Sequence, residues 1–126
     1  MEQGKIKSFS DLIAWQEGHK FVLMVYEELK VFPDDERFGL ISQMKRSAVS
    51  ITSNIAEGFS RQSYADKIRF YYIAQGSITE LQNQLIISKD LKYINNDKFN
   101  KATEQSTLVH KLINGLIKGA RIKDAA

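Results

Sequence analysis

The polar side chains best placed to do chemistry lie along residues 43–57. They recur every three or four residues, the spacing that places side chains on one face of an α-helix. The set is Gln43, Arg46, Ser50, Asn54 and Glu57. Arg69 and Glu80 follow on the next helical segment. Because partly buried charges need partners, we expect Arg46 and Glu57 to pair with them across two helices.

Three interpretations of this polar stripe differ in the chemistry they require. It can fix helix register and subunit geometry, it can bind a polar ligand, or it can catalyse a reaction. Paired carboxylates such as Glu57 and Glu80 suit acid–base catalysis or metal binding. A di-metal bundle uses Glu-x-x-His motifs, and neither glutamate has a histidine three residues on. The sequence favours a structural network, and a small-molecule pocket between helices two and three, or an enzyme using it, is the alternative.

The chain has few other side chains that could take part in catalysis. The chain has no Cys, which removes thiolate nucleophiles and thiolate metal ligands. His19 and His110 are its two imidazoles, and neither belongs to a visible triad. We therefore expect no catalytic residue, no metal and no cofactor.

Basic residues provide a second candidate chemistry, the binding of phosphate. Residues 1–36 carry eight acidic residues against four lysines, whereas residues 37–126 carry fourteen basic residues against seven acidic ones. The nucleic-acid-binding candidates are Lys45, Arg61, Lys67, Lys89, Lys92, Lys118, Arg121 and Lys123. Phosphate binding requires cations that converge on one face, and several copies of the chain in a ring would strengthen the field. Lysines scattered over a solvated face are the alternative.

The composition bounds the class of protein. A chain of 126 residues, 43% hydrophobic and 26% charged, suits one globular domain. No apolar run approaches the roughly 20 residues that cross a bilayer, and the N-terminus lacks the features of a signal peptide. We expect a cytoplasmic protein that does not contact a membrane.

Hydrophobic periodicity predicts the elements that position these residues. Pro33 is the one proline, and no alternating strand pattern occurs. Apolar residues step by three and four along segments of about 11–30, 36–57, 63–91 and 96–121. On the first segment, the predicted core stripe includes Trp15, His19 and Tyr26, and Gly58 is predicted to close the second helix. Short links then predict an all-α, antiparallel up-down four-helix bundle, one domain over residues 1–126.

Aromatic residues exceed what one narrow core can hold. Tyr71 and Tyr72 cannot share one helix face, because adjacent residues diverge by about 100°. We expect one of them to face the core and the other to face a subunit contact, where aromatic residues are enriched.

Residues along most of the chain resemble one known family. They include Phe9-Ser10-Asp11-Leu12, Trp15-Gln16, Phe32-Pro33, Arg37-Phe38-Gly39-Leu40, Asn54-Ile55-Ala56-Glu57-Gly58, Arg69-Phe70, Gly76-Ser77 and Glu80-Leu81. The chain resembles the four-helix bundle proteins encoded by intervening sequences in large-subunit ribosomal RNA genes, which are often catalogued as ribosomal-protein-like. The resemblance implies a homopentamer. A related branch, the accessory variability protein of diversity-generating retroelements, binds nucleic acid and a reverse transcriptase.

Together these observations predict a non-enzymatic, homo-oligomeric interaction protein. Its basic surface is expected to bind RNA or a nucleoprotein partner, and its other expected partner is itself.

Overall fold

A computed structural model describes residues 5–126, and this part of the chain contains four α-helices. They are α1 (Ile13–Leu29), α2 (Ser42–Ser60), α3 (Tyr64–Asp90) and α4 (Asn96–Ala125). Short 3-10 turns at Phe9–Asp11 and Asp34–Glu36 precede α1 and α2, and the latter runs into a π-type turn at Arg37–Ile41. The predicted all-α four-helix bundle is confirmed.

Two contacts between α2 and α3 show the relative direction of these helices. Arg46 near the start of α2 pairs with Glu80, in the C-terminal half of α3. Gly58 near the end of α2 contacts Tyr71, closer to the start of α3. The two helices are therefore antiparallel, and the end of α2 lies beside the beginning of α3.

The other neighbouring helices enclose the same core. α1 packs on both α2 and α4, and α3 packs on α4. The core holds apolar side chains from all four helices, and its largest fully buried members include Phe21, Met44, Ile51, Ile55, Ile78, Leu81, Leu85, Ile113 and Ile117. Burial of this shared core is what holds the four amphipathic faces together.

The predicted core stripe of α1 is wrong at His19 and Tyr26, although Trp15 is partly buried and packs against the core. His19 and Tyr26 are exposed, and the buried residues of this helix are Ala14, Gly18, Phe21, Val25, Glu28 and Leu29. Gly18 explains the rotation, since a β-carbon built there would lie 3.2 Å from Cγ2 of Thr52 on α2. Helices that pack closely need small residues on the sides that touch. These small residues do not stand out in a hydrophobic pattern, so the pattern does not identify them as core positions.

The predicted start of helix two at residue 36 is also wrong. Residues 37–41 form the π-type turn, in which Gly39 has φ −108° and ψ −112°, outside the helical region. An oxygen of the Glu36 carboxylate accepts a hydrogen bond from Leu40 N at 3.2 Å. The regular helix begins only at Ser42.

Gly58 does not close helix two as predicted. The helix continues to Ser60, and Arg61 takes the extended conformation that ends it. Ser63 then caps α3 by accepting a hydrogen bond from Asp66 N at 3.1 Å. Asn95 caps α4 in the same way, accepting from Lys98 N at 2.8 Å. These caps fix the short links that join the last three helices.

Candidate nucleic-acid interface

Cationic side chains lie over aromatic rings at the end of the bundle where α2 ends, α3 begins and α4 ends. We call this region the basic-aromatic end. Its pairs, with the distance from cation to ring centroid, are Arg61–Phe70 (4.6 Å), Arg69–Phe70 (5.8 Å), Lys67–Phe59 (5.4 Å), Arg121–Tyr72 (5.4 Å) and Lys123–Tyr64 (5.8 Å). The antiparallel packing brings these pairs together from three helices. Exposed cations beside aromatic faces can bind phosphates and stack on bases.

Lys67 occupies the centre of the basic-aromatic end. Its ammonium donates a hydrogen bond to the Phe59 carbonyl at 2.6 Å and to the Gly58 carbonyl at 3.5 Å. These carbonyls belong to the last turn of α2, where the helix dipole favours a cation. Burial lowers the pKa of Lys67, and the neighbouring charge of Lys123 lowers it further. Lys67 and Lys123 thus contribute positive charge to the same region.

The cations of this end differ in whether a carboxylate neutralises them. Arg61 pairs with Glu57 at 3.7 Å and Arg69 with Asp66 at 3.4 Å. Along residues 5–126, by contrast, Lys67, Arg121 and Lys123 form no ion pair with a carboxylate. Arg121 instead donates a hydrogen bond to the Tyr72 hydroxyl. The positive charge of these three side chains is available to an anion.

The structure divides the nucleic-acid candidates of the sequence into separate groups. Arg61, Lys67, Arg121 and Lys123 lie together at the basic-aromatic end. Lys118 lies on the exposed surface of α4, one turn before it, and Lys45 lies 5.2 Å from the Tyr26 ring, between α1 and α2. Lys89 and Lys92 lie at the opposite end of the bundle, where Lys89 Nζ is 4.4 Å from the Phe99 ring centroid. One copy therefore gathers four of the eight candidates at the basic-aromatic end, while Lys89 and Lys92 line a pocket with Lys98 at the other end.

Sequence reasoning missed the aromatic partners at this end. Phe59, Tyr64, Phe70 and Tyr72 alternate with basic residues along 59–72, and that interleaving was a usable signal. The prediction for Tyr71 and Tyr72 is confirmed in its first half, because Tyr71 is buried and Tyr72 is exposed.

Five of the seven stripe residues form a ladder of hydrogen bonds along α2 and α3. Arg46 Nη2 donates to Glu80 Oε2 at 3.0 Å and to Gln43 Oε1 at 2.7 Å. Ser50 Oγ is 2.8 Å from Ser77 Oγ. Next on the ladder, the amide of Asn54 donates to the Ser50 carbonyl at 2.8 Å. These residues are brought together as predicted.

The expected pair of Glu57 with Arg69 does not form. Glu57 pairs with Arg61 and accepts a hydrogen bond from Ser60 Oγ at 3.2 Å, whereas Arg69 pairs with Asp66 of its own helix. The physical reason is distance. A partner three or four residues away on the same helix or helix end is nearer to each side chain than a partner on the facing helix.

The ladder faces solvent rather than a pocket. The side chains of Arg46 and Glu80 are 62% and 42% exposed, so Glu80 is partly buried whereas Arg46 is mostly exposed. Four cavities along residues 5–126 have walls that include none of the seven stripe residues. The arrangement suits a weak register-setting contact.

The two histidines lie apart. His19 stacks on Trp15, with ring centroids 4.9 Å apart and planes 8° apart. His110 lies on α4 beside Gln82 and Lys111. In the described part of the chain, no group of three or more His, Cys, Asp or Glu could hold a metal ion.

Residues 10–115 match the family described as 23S rRNA-intervening sequence protein. The fold is similar to the crystal structure of a protein with unknown function from the S23 ribosomal protein family of Bacteroides thetaiotaomicron. The TM-score is 0.78 at 26% sequence identity, over 84% of this chain and 96% of that chain. No curated protein matches significantly. Over residues 5–126, no helix is long and apolar enough to cross a membrane.

Proposed function

The chain belongs to the 23S rRNA-intervening sequence protein family, and on this premise we propose that it is a non-enzymatic, homo-oligomeric protein that binds RNA through its basic-aromatic end. The observation that carries the proposal is the set of three cations, Lys67, Arg121 and Lys123, which lack carboxylate partners and lie beside aromatic rings.

Two physical effects make this end suited to RNA. Cations that contact phosphates release condensed counterions, which supplies most of the sequence-independent affinity. Aromatic faces accept unstacked bases of loops and single strands, which is where proteins commonly recognise RNA. Tyr64 and Tyr72 are 36% and 44% exposed, so their rings are accessible. Contacts of this kind favour RNA shape and single-stranded segments over a particular base sequence.

Self-association would strengthen the same field. Phe38 is 88% exposed and Val31 is 60% exposed, on either side of the turn between α1 and α2. Large apolar side chains at such exposure suit a contact with a second copy. A ring of five copies, the assembly implied by the family resemblance, would repeat the basic-aromatic end five times and raise the affinity for one RNA.

An electrophoretic titration with a structured RNA hairpin tests the proposal. We expect retarded complexes whose affinity falls steeply between about 50 and 200 mM salt, because phosphate contacts are salt-dependent. The double variant R121Q/K123Q should weaken binding. The matched control K89Q/K92Q removes the same charge from the opposite end and should retain near-normal affinity.

Two results would overturn the proposal. One is the absence of binding at low salt, and the other is an affinity that does not change as salt rises. Equal loss from both double variants would remove the basic-aromatic end as the binding surface.

A further inference from the structure

A cavity of about 390 Å³ opens beside the basic-aromatic end, between the residues before α1, the start of α3 and the last turns of α4. Its apolar wall includes Ile6, Leu12, Phe59 and Leu116. The volume lies within the roughly 300–1,000 Å³ typical of small-molecule sites.

Two glycines of α4 keep the cavity open. A β-carbon built at Gly115 or Gly119 would meet nothing within 4 Å, and both residues line the cavity. They are four residues apart and so lie on the same face of α4. A flat group can therefore approach the backbone of this helix closely.

Tyr71 contributes a buried polar group to the cavity wall. It is only 4% exposed, and no hydrogen bond to its hydroxyl exists along residues 5–126. Burial raises the pKa of Tyr71, and no partner contributes to that shift. Because Tyr71 lines the cavity, its hydroxyl is free to hydrogen-bond a ligand that enters there.

Lys67 and Lys123 give the cavity its charge. Both line it, and neither pairs with a carboxylate in the described part of the chain. Lys67 already donates to two carbonyls of α2, which fixes its position. Charge complementarity therefore calls for an anion whose apolar, flat part enters the cavity.

We propose that this cavity holds one unpaired nucleotide of the RNA, with its base against the apolar wall and its phosphate beside Lys67 and Lys123. The Tyr71 hydroxyl hydrogen-bonds the polar edge of the base, and Tyr64 at the rim stacks on it or on its neighbour. The inference rests on the proposed function. A nucleotide within a strand fits better than a free small anion, because Arg121 with Tyr72 continues the same cation and ring pattern for the next phosphate.

Fluorescence anisotropy with two probes tests the nucleotide cavity. One probe is a short oligouridylate, whose bases stack weakly on each other, and the other is its abasic counterpart with the same number of phosphates. We expect the chain to bind the oligouridylate at least about tenfold more tightly, which is the scale of one stacked base.

Two glycine variants locate the effect. Gly119→Leu fills the cavity and should abolish the preference for the base-containing probe while leaving the affinity for the abasic probe unchanged. Gly76→Leu is the matched control, since Gly76 is an exposed glycine of α3 with nothing within 4 Å of a built β-carbon. It should keep the preference. Lys123→Gln should lower the affinity for both probes by a similar factor.

The outcomes separate this inference from the proposed function. If both probes bind equally, or if Gly119→Leu keeps the preference, the nucleotide cavity is wrong and RNA binding at the surface stands. If neither probe nor a structured RNA binds, the proposed function itself fails. Circular dichroism confirms that each variant folds, and Gly115→Leu replaces Gly119→Leu if the latter does not.

Discussion

Gly58 of α2 and Tyr71 of α3 approach so closely that a β-carbon at position 58 would lie 2.7 Å from Cε1 of the tyrosine ring. The Tyr71 ring is buried and rigid, so it cannot move away cheaply. This contact sets the spacing of α2 and α3 at the basic-aromatic end. It also holds Tyr71 in the wall of the cavity.

Gly58→Ala should destabilise the fold although alanine favours helices. The added methyl group overlaps the Tyr71 ring, and overpacking of this kind costs about 1–3 kcal/mol. Gly76→Ala is the control, because its built β-carbon meets nothing within 4 Å, and it should raise the unfolding free energy by about 0.5–1 kcal/mol. Denaturant titration of both variants measures the two effects. A Gly58→Ala chain as stable as Gly76→Ala would show that the contact is loose.

Glu28 should make the stability of the fold depend on pH. It is 6% exposed, and its Oε1 has no hydrogen-bond partner. Burial raises the pKa of Glu28 from 4.5 to about 7, against a smaller opposing effect of the Lys98 charge. Between those two values the folded state binds more protons than the unfolded state. Glu28 thus favours folding fully below pH 4.5, and its contribution is lost as pH rises through 7.

Comparison with Glu28→Gln isolates this effect. Each pKa unit corresponds to about 1.4 kcal/mol, so the wild-type chain should lose on the order of 3 kcal/mol relative to the variant between pH 4.5 and 8. Urea unfolding of both chains across this range gives the difference directly. Parallel stability curves for the two chains would mean that Glu28 ionises normally in the folded state.

The ion pair between Arg46 and Glu80 should contribute little to stability. Water reaches both side chains, which are 62% and 42% exposed, and solvent-exposed pairs are typically worth about 0.2–1 kcal/mol. A double-mutant cycle with Arg46→Ala and Glu80→Ala should give a coupling energy in that range, and added salt should reduce it. A coupling of several kcal/mol would instead indicate that another copy of the chain buries this pair.

Removal of Arg121 and Lys123 should change the salt dependence of RNA binding as well as the affinity. Each phosphate contact contributes about 0.7–0.9 to the slope of log affinity against log salt concentration. R121Q/K123Q should therefore lower the magnitude of that slope by about 1.4 to 1.8 per engaged subunit. A lower affinity with an unchanged slope would mean that these residues shape the surface without contacting phosphate.

Light scattering tests the self-association of the chain. We expect a mass several times 14.4 kDa that is stable over a wide concentration range. Phe38→Ser should reduce the mass, because the 88% exposed Phe38 ring is expected to lie against a second copy. Circular dichroism serves as the control for folding. A wild-type monomer at all concentrations would contradict the expected assembly.

The sequence alone was sufficient for the class of fold. Three-four periodicity in α2, α3 and α4 depends on local geometry, and buried core residues such as Met44, Leu81 and Ile113 follow it. Capping residues such as Ser63 act on their own helix, and they too could be read from the chain.

Features that depend on contacts between helices were decided only by the tertiary structure. The core face of α1 follows from how closely Gly18 approaches α2, and Gly58 serves a contact with Tyr71 rather than a helix end. The gathering of Lys67, Arg121 and Lys123 at one end depends on the antiparallel packing of α3 and α4. Periodicity states which residues share a face of one helix, but it contains no information on which faces meet.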